Sequence, residues 1–174
     1  SMTKVMTLIV IVENLPDEDC LKEEIKVSEA VYDAMKAAGS SGIGMAAGEK
    51  LTVEAMLHAL MLKSDGIAAC ELARYVAGSE EDFVELMNQR AQELGCTGTH
   101  YMNAHGLHHD DHYTTARDMA KIAATAMQYP IFEEIFTTTE YTVPATNLSE
   151  ARELKTTNFL IRSNGYPNVV DSRV

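Results

Sequence analysis

The chain has 174 residues, 46% hydrophobic and 23% charged, enough apolar material for one folded domain and too much for a disordered segment. Fourteen Lys and Arg stand against 26 Asp and Glu, and the net charge of −12 excludes nucleic acid and anionic membrane as main partners, because phosphate binding needs clustered cations. Aromatic content is 6% with no Trp, so no platform exists for stacking bases or sugars.

The first segment, Ser1 to about Glu13, reads as a helix. Val5, Leu8, Ile9 and Val12 recur at helical spacing and give one apolar face. "VMTLIVIV" is about eight residues, far short of the roughly 20 that span a bilayer. No basic stretch precedes an apolar core, so no signal peptide is visible. "NLPDEDC" breaks the helix. "EEIKVSEAVYDAMKAAG" reads as a short extended piece and a helical turn or two, and "GSSGIGMAAGEK" as loop. Thr52 caps a helix "VEAMLHALMLK". A second helix runs from about Asp65 to Val76, ending at Gly78. Ser79 with Asp82 resembles a capping box opening "EEDFVELMNQRAQELG", which Gly95 stops. Next is a long loop, "CTGTHYMNAHGLHHDDHY". Thr115 and Asp118 repeat the cap pattern before "MAKIAATAMQ", which Pro130 closes. A short helix around "IFEEIF" comes next, then "EYTVPATN" and "RELKTTNFLI" with β character or irregular structure. The chain is therefore helix-rich, with no repeat and no strong domain boundary.

Cys20, Cys70 and Cys96 show no C-x-x-C spacing. A disulfide framework or thiolate zinc site does not fit, although one disulfide plus a free thiol stays open. Cys70, inside "GIAACELA", reads as a small core residue. His100, His105, His108, His109 and His112 invite a metal reading, but "HGLHHDDH" lacks a helical H-x-x-x-H scaffold. Four-ligand geometry is demanding, and the expectation is no zinc. The acidic clusters read as solvated faces and helix N-termini, and most of the ten methionines as packing.

Two features carry chemistry. Ser1 and Lys4 stand at i and i+3, on one helix face with Cβ atoms roughly 5–6 Å apart. A serine hydroxyl is a poor nucleophile until a base takes its proton, and a lysine kept neutral by burial is such a base. Alone, S-x-x-K arises often by chance. Ser64 stands at a junction between two helices, where it can face a cleft and relay a proton. The ordinary job of such a serine is to cap the following helix.

Taken with the long blocks around them, these features resemble the serine D-alanyl-D-alanine carboxypeptidases, the low-molecular-mass penicillin-binding proteins. "SMTKVMT" resembles that family's S-x-T-K-x-M-T helix start. "GSSGIGMAAGEKLTVEAMLHALMLKSDGIAACELARYVAGSEEDFVELMNQRAQELG" resembles the stretch around its S-x-N element. "THYMNAHGLHHDDHYTTARDMAKIA" resembles its "NPHGL…HYSTARDLA" segment. "YPIFEEIFTTTEYTVPATN" and "KTTNFLI" resemble the family's next stretch of chain.

The resemblance implies an α+β DD-peptidase/β-lactamase-like fold, of which this chain holds mainly the helical part. Most of the sheet, with its N- and C-terminal strands, lies elsewhere. Residues 1–174 would then be a partial penicillin-binding domain. It implies Ser1 as acylated nucleophile, Lys4 as its general base, and Ser64 as the proton shuttle to the leaving D-alanine. It places His105 and Gly106 in a turn near the cleft and His112 at the start of "HYTTARD". His108 and His109 read as solvated. Gly66 stands in the substrate-binding position where the family has Asn, which relaxes or weakens substrate binding. No K-T-G occurs. Lys155-Thr156-Thr157 is a decoy opposite the family's "TNTN" stretch, and the true element is expected beyond Val174.

The implied substrate is the peptidoglycan stem peptide ending in D-Ala-D-Ala. β-Lactams would acylate the same serine, and no cofactor or metal is needed. Export to the cell envelope is implied, with membrane contact only through segments outside this chain. Three rivals stand beside this reading: a β-lactamase-like hydrolase, a truncated inactive fragment or wall-peptide-binding module, and a histidine-loop metal module.

Overall fold

The structure, a computed structural model, describes residues 2–158. The expected nucleophile Ser1 and the segment after Asn158, including "YPNVVDSRV", lie outside the described residues. Seven α-helices and four short strands make up the described part: α1 (Thr3–Asn14), β1 (Glu24–Lys26), α2 (Glu29–Ala37), β2 (Lys50–Thr52), α3 (Val53–Lys63), α4 (Gly66–Ala77), α5 (Glu80–Glu93), α6 (Ala116–Ala126), α7 (Pro130–Thr137), β3 (Glu140–Val143) and β4 (Arg152–Lys155).

Helix α1 is the axle of the molecule. The spacing of Val5, Leu8, Ile9 and Val12 predicts a single apolar face. In the fold Met6, Thr7, Leu8, Ile9, Val10 and Ile11 are all buried, and α3, α4, α5, α6 and α7 pack around the helix. A helix apolar all round belongs in a core rather than on a surface. Lys4 is carried into that core at 4% exposure. The surrounding helices supply Met56, Leu57, Leu60, Leu72, Phe83 and Ile122 to the same cluster.

Short polar residues set the helix starts, in agreement with their positions in the chain. Thr52 accepts from Ala55 N, Ser79 from Asp82 N and Thr115 from Asp118 N. The reciprocal contacts differ from a full capping box. The Asp82 carboxylate accepts from the Ser79 hydroxyl at 2.7 Å. Asp118 instead turns back to Gly98 N at 2.9 Å and the Thr99 hydroxyl at 2.8 Å, pinning the start of the long loop. That loop is further closed by a bridge between His100 and Tyr113.

Two antiparallel pairs make up the strands. β1 pairs with β2, Ile25 opposite Leu51, and β3 with β4, Tyr141 opposite Leu154. β2 has no local signature: it is a three-residue strand at the end of the expected loop, leading straight into the Thr52 cap. The expected helical turn or two is the nine-residue α2, capped by Ser28. Buried Glu49 joins the two strand pairs: it accepts from Ala46 N and the Thr146 hydroxyl and pairs with Arg152.

Candidate active site

Lys4 sits in the first turn of α1 and its side chain runs inward. Its Nζ donates to the carbonyl of His105 at 2.5 Å. One turn on, the Thr7 hydroxyl donates to the neighbouring carbonyl of Ala104 at 2.7 Å. One face of α1 is therefore docked on a stretch of backbone. Burial holds the Lys4 ammonium below its ordinary pKa of 10.5, and the nearby Asp65 and Cys70 oppose that shift. A carbonyl accepts a hydrogen from an amine as well as from an ammonium, so Lys4 stays oriented after losing its proton. At the mouth of the same helix, the Thr3 hydroxyl bonds His112 Nε2 at 2.9 Å.

The second piece is the α3–α4 junction. Ser64 ends α3 with φ 56° and ψ 38°, the one non-glycine residue at positive φ among those described. Left-handed backbone costs an L-residue roughly 1–2 kcal/mol. The N–H groups of Ser64 and Asp65 both turn back to the Ala59 carbonyl. Ser64 does not cap α4. That job belongs to Asp65, whose carboxylate accepts from Ala68 N at 3.0 Å. The ordinary structural use of a serine at a helix junction therefore does not account for Ser64, and strained backbone of this kind gathers at functional sites. Glycine at this position relieves the strain where alanine cannot. Ser64→Gly should therefore be more stable than Ser64→Ala by about 1–2 kcal/mol in urea unfolding.

Asp65 also holds a loop. Its second oxygen accepts from Ile43 N at 2.7 Å. The Ser41 hydroxyl donates to Ser64 O at 3.1 Å, and Gly66 N donates to Ser41 O at 3.1 Å. Asp65 is 1% exposed. Burial raises its pKa, and bonds from Ala68, Ile43 and Ile67 with the charge of Lys4 oppose the rise. Each of Lys4 and Asp65 thus registers the other's charge, in keeping with the packing of α1 against α4.

Gly66, expected in the substrate-binding position, is at the first position of α4. A Cβ there would stand 2.1 Å from Ser40 Oγ and 3.1 Å from Met35 Sδ. The loop has settled into the space an asparagine side chain would need. Gly66→Asn should cost about 1–3 kcal/mol by overpacking, read as a lowered Tm, and Ser40→Gly in the same protein should recover part of it.

Lys155 is taken up in an exposed ion pair with Glu140 at 3.1 Å, while Thr157 N reaches Leu62 O beside the end of α3. His105 and Gly106 lie in a turn against Lys4, closed by Gly106 N on Asn103 Oδ1 at 2.7 Å. His108 and His109 are exposed. The loop histidines do not converge on one point. Among the described residues, the ligand-type atoms that do are those of Cys70, Glu80 and His105. Cys70 is buried as expected, and burial with the neighbouring Glu80 pushes its thiol pKa up.

Sequence reasoning passes over Asp65, the 40–43 loop and Glu80. Asp65 carries a usable signal, since an Asp three residues before Ala68 at a helix start is a cap pattern. The loop contacts and Glu80 leave no local signal.

The fold is that of the DD-peptidases. It superposes on the crystal structure of the Streptomyces K15 DD-transpeptidase with a TM-score of 0.85 and 30% identity, over 94% of this chain and 66% of that one. The D-alanyl-D-alanine carboxypeptidase DacF of Bacillus subtilis is 37% identical over 97% of this chain and 42% of its own length. The D-alanyl-D-alanine carboxypeptidase of Streptomyces sp. strain K15 is 31% identical over 95% of this chain and 57% of its own. The chain thus spans about half the length of these curated relatives. A family profile described as D-alanyl-D-alanine carboxypeptidase, peptidase S11, matches residues 1–170. The chain belongs to that family.

Proposed function

We propose that this chain carries the nucleophile, base and proton relay of a serine-type D-alanyl-D-alanine carboxypeptidase that trims peptidoglycan stem peptides. Ser1 attacks the carbonyl between the two terminal D-alanines, and Lys4 takes its proton. The Ser64 hydroxyl passes a proton to the leaving amine, and water then releases the acyl group from Ser1. The tetrahedral oxyanion needs preorganised N–H donors. One is that of Ser1, and the other belongs to a strand bearing Lys-Thr-Gly. On this reading residues 1–174 are one part of a penicillin-binding domain. β-Lactams, whose strained amide mimics the scissile bond, acylate the same serine. No cofactor enters the scheme. The substrate puts the protein in the cell envelope, and among the described residues no helix is long and apolar enough to cross a membrane.

The observation that carries the reading is Lys4. It is an amine taken to 4% exposure, held below its ordinary pKa by burial and aimed by a backbone carbonyl, three residues after a serine. Buried lysines of this kind are poised to act as bases. Gly66 favours a second reading, an inactive module that at most binds wall peptide weakly and does not turn it over, because the loop fills the space of a substrate-gripping side chain.

Fluorescent penicillin separates the two. The full-length protein should label at Ser1, shown by mass spectrometry of the adduct peptide, and Ser1→Ala should not label. Binding of a D-Ala-D-Ala peptide without any label would establish the second reading. Equal labelling of Ser1→Ala would sink the first. Slow release of the label marks a carboxypeptidase and fast release a β-lactamase.

A further inference from the structure

The face of α1 that carries Lys4 rests on the Ala104–His105 peptide, and that peptide has its own support. Glu80, at the first position of α5, accepts from Ala104 N at 3.3 Å. The same oxygen lies 3.6 Å from His105 Nε2, with the His105 side chain only 12% exposed. Cys70 lies against Glu80 from α4.

Cys70, Glu80 and His105 together offer the thiol, carboxylate and imidazole of a zinc site. The hydrogen bonding of His105 argues against that use. Its Nδ1 accepts from Leu107 N at 3.2 Å, so the proton of the neutral ring sits on Nε2 and points to Glu80. A metal at Nε2 would need the opposite tautomer. The cluster is therefore a hydrogen-bonded brace.

We propose that Glu80 is a positioning residue for Lys4, acting through the Ala104–His105 peptide. By holding Ala104 N and facing the His105 ring, Glu80 sets the tilt of two successive carbonyls. Those carbonyls hold Thr7 and Lys4. The brace aims the amine without placing a carboxylate on it. A carboxylate there would lock the ammonium form, which cannot accept the nucleophile's proton. The groups that face the pair are identifiable: Asp65, Cys70 and His105 around Lys4, and Glu80, Lys4 and His112 around His105. The hydrogen bond that Lys4 makes is to the His105 carbonyl, so the aim of the amine depends on that carbonyl.

This inference rests on the reading of Lys4 as the base, and the test separates the two. Acylation of the full-length protein by fluorescent penicillin is followed by stopped flow in Glu80→Ala, Glu80→Gln and Lys4→Ala, with pH profile, burst amplitude and Tm. A misaimed group of this kind costs about 10- to 100-fold, which is the expected loss in Glu80→Ala. Its burst amplitude should stay full, and the pH limb governed by Lys4 should move to lower pH as the carbonyl that favours the ammonium withdraws. Glu80→Gln, whose carboxamide oxygen accepts the same bonds, should stay within about threefold of wild type, by the same positional argument. A wild-type rate in Glu80→Ala overturns the proposal. So does a Glu80→Ala defect confined to Tm and burst amplitude, or a Glu80→Gln defect as large as that of Glu80→Ala. Wild-type acylation in Lys4→Ala would instead remove the base reading itself, and this proposal with it.

Discussion

Lys4→Ala in the full-length protein should slow acylation by penicillin by about 10²–10⁴-fold, the usual worth of a positioned base. Lys4→Arg is the informative companion. A guanidinium keeps the charge and cannot be deprotonated, so it should be as slow as alanine if the lysine works as a base. Recovery of rate in Lys4→Arg would show that Lys4 acts only as a positive charge. The pH profile has a definite sign. Acylation should rise with pH as Lys4 loses its proton, and burial places that rise below the ordinary 10.5. Stability follows the same titration. Between the folded pKa and 10.5 the unfolded chain holds a proton that the native chain has released, so this contribution grows with pH. It is complete above 10.5 and is lost as pH falls through the folded value. The stability gap between wild type and Lys4→Met, measured by urea unfolding, should accordingly shift toward wild type as pH rises.

Asp65→Ala should lower stability by about 2–3 kcal/mol, combining a lost helix cap with a lost charged acceptor for a loop N–H. The bonds at stake are those from Ala68 N and Ile43 N. Because the loop, the start of α4 and Ser64 hang on this one carboxylate, the proton relay proposed for Ser64 should weaken with it. Asp65→Asn keeps the cap and removes the charge. Its diagnostic result is electrostatic: without the anion that raises the Lys4 pKa, the acylation limb should move to lower pH. An unmoved limb would mean that the two groups do not couple. Asp65 itself titrates in the opposite sense to Lys4. Its pKa is raised on folding, so its contribution is full below 3.8 and is lost as pH climbs through the folded value.

The helices are legible because their signals are local. Thr52, Ser79 and Thr115 stand one residue before the helices they cap, and Gly78 closes α4. The central position of α1 is misread as a single face because a pattern within one helix cannot report how many neighbours surround it. β2 is invisible because three residues pair only once β1 is in place, about 25 positions earlier in the chain. At the site, Lys4 and the Ser64 junction emerge from motif spacing and family resemblance. Glu80 does not, and Asp65 shows locally only its cap on Ala68, because the partners Ile43 and Ala104 are joined to them only by the tertiary fold. The ligand-type atoms that do meet, those of Cys70, Glu80 and His105, are far apart in sequence and could not be found from the histidine-rich loop alone.

The left-handed turn at Ser64 has a bearing on any attempt to improve this protein by selection. A library sorted only for survival at high temperature rewards release of backbone strain, and at position 64 the simplest release is glycine. Such a screen would enrich robust chains that had shed the hydroxyl proposed as the proton relay. Heat-treated survivors should therefore be counted by penicillin capture as well as by yield, and a sweep to glycine at 64 would be the mark of a lineage that had traded its chemistry for endurance.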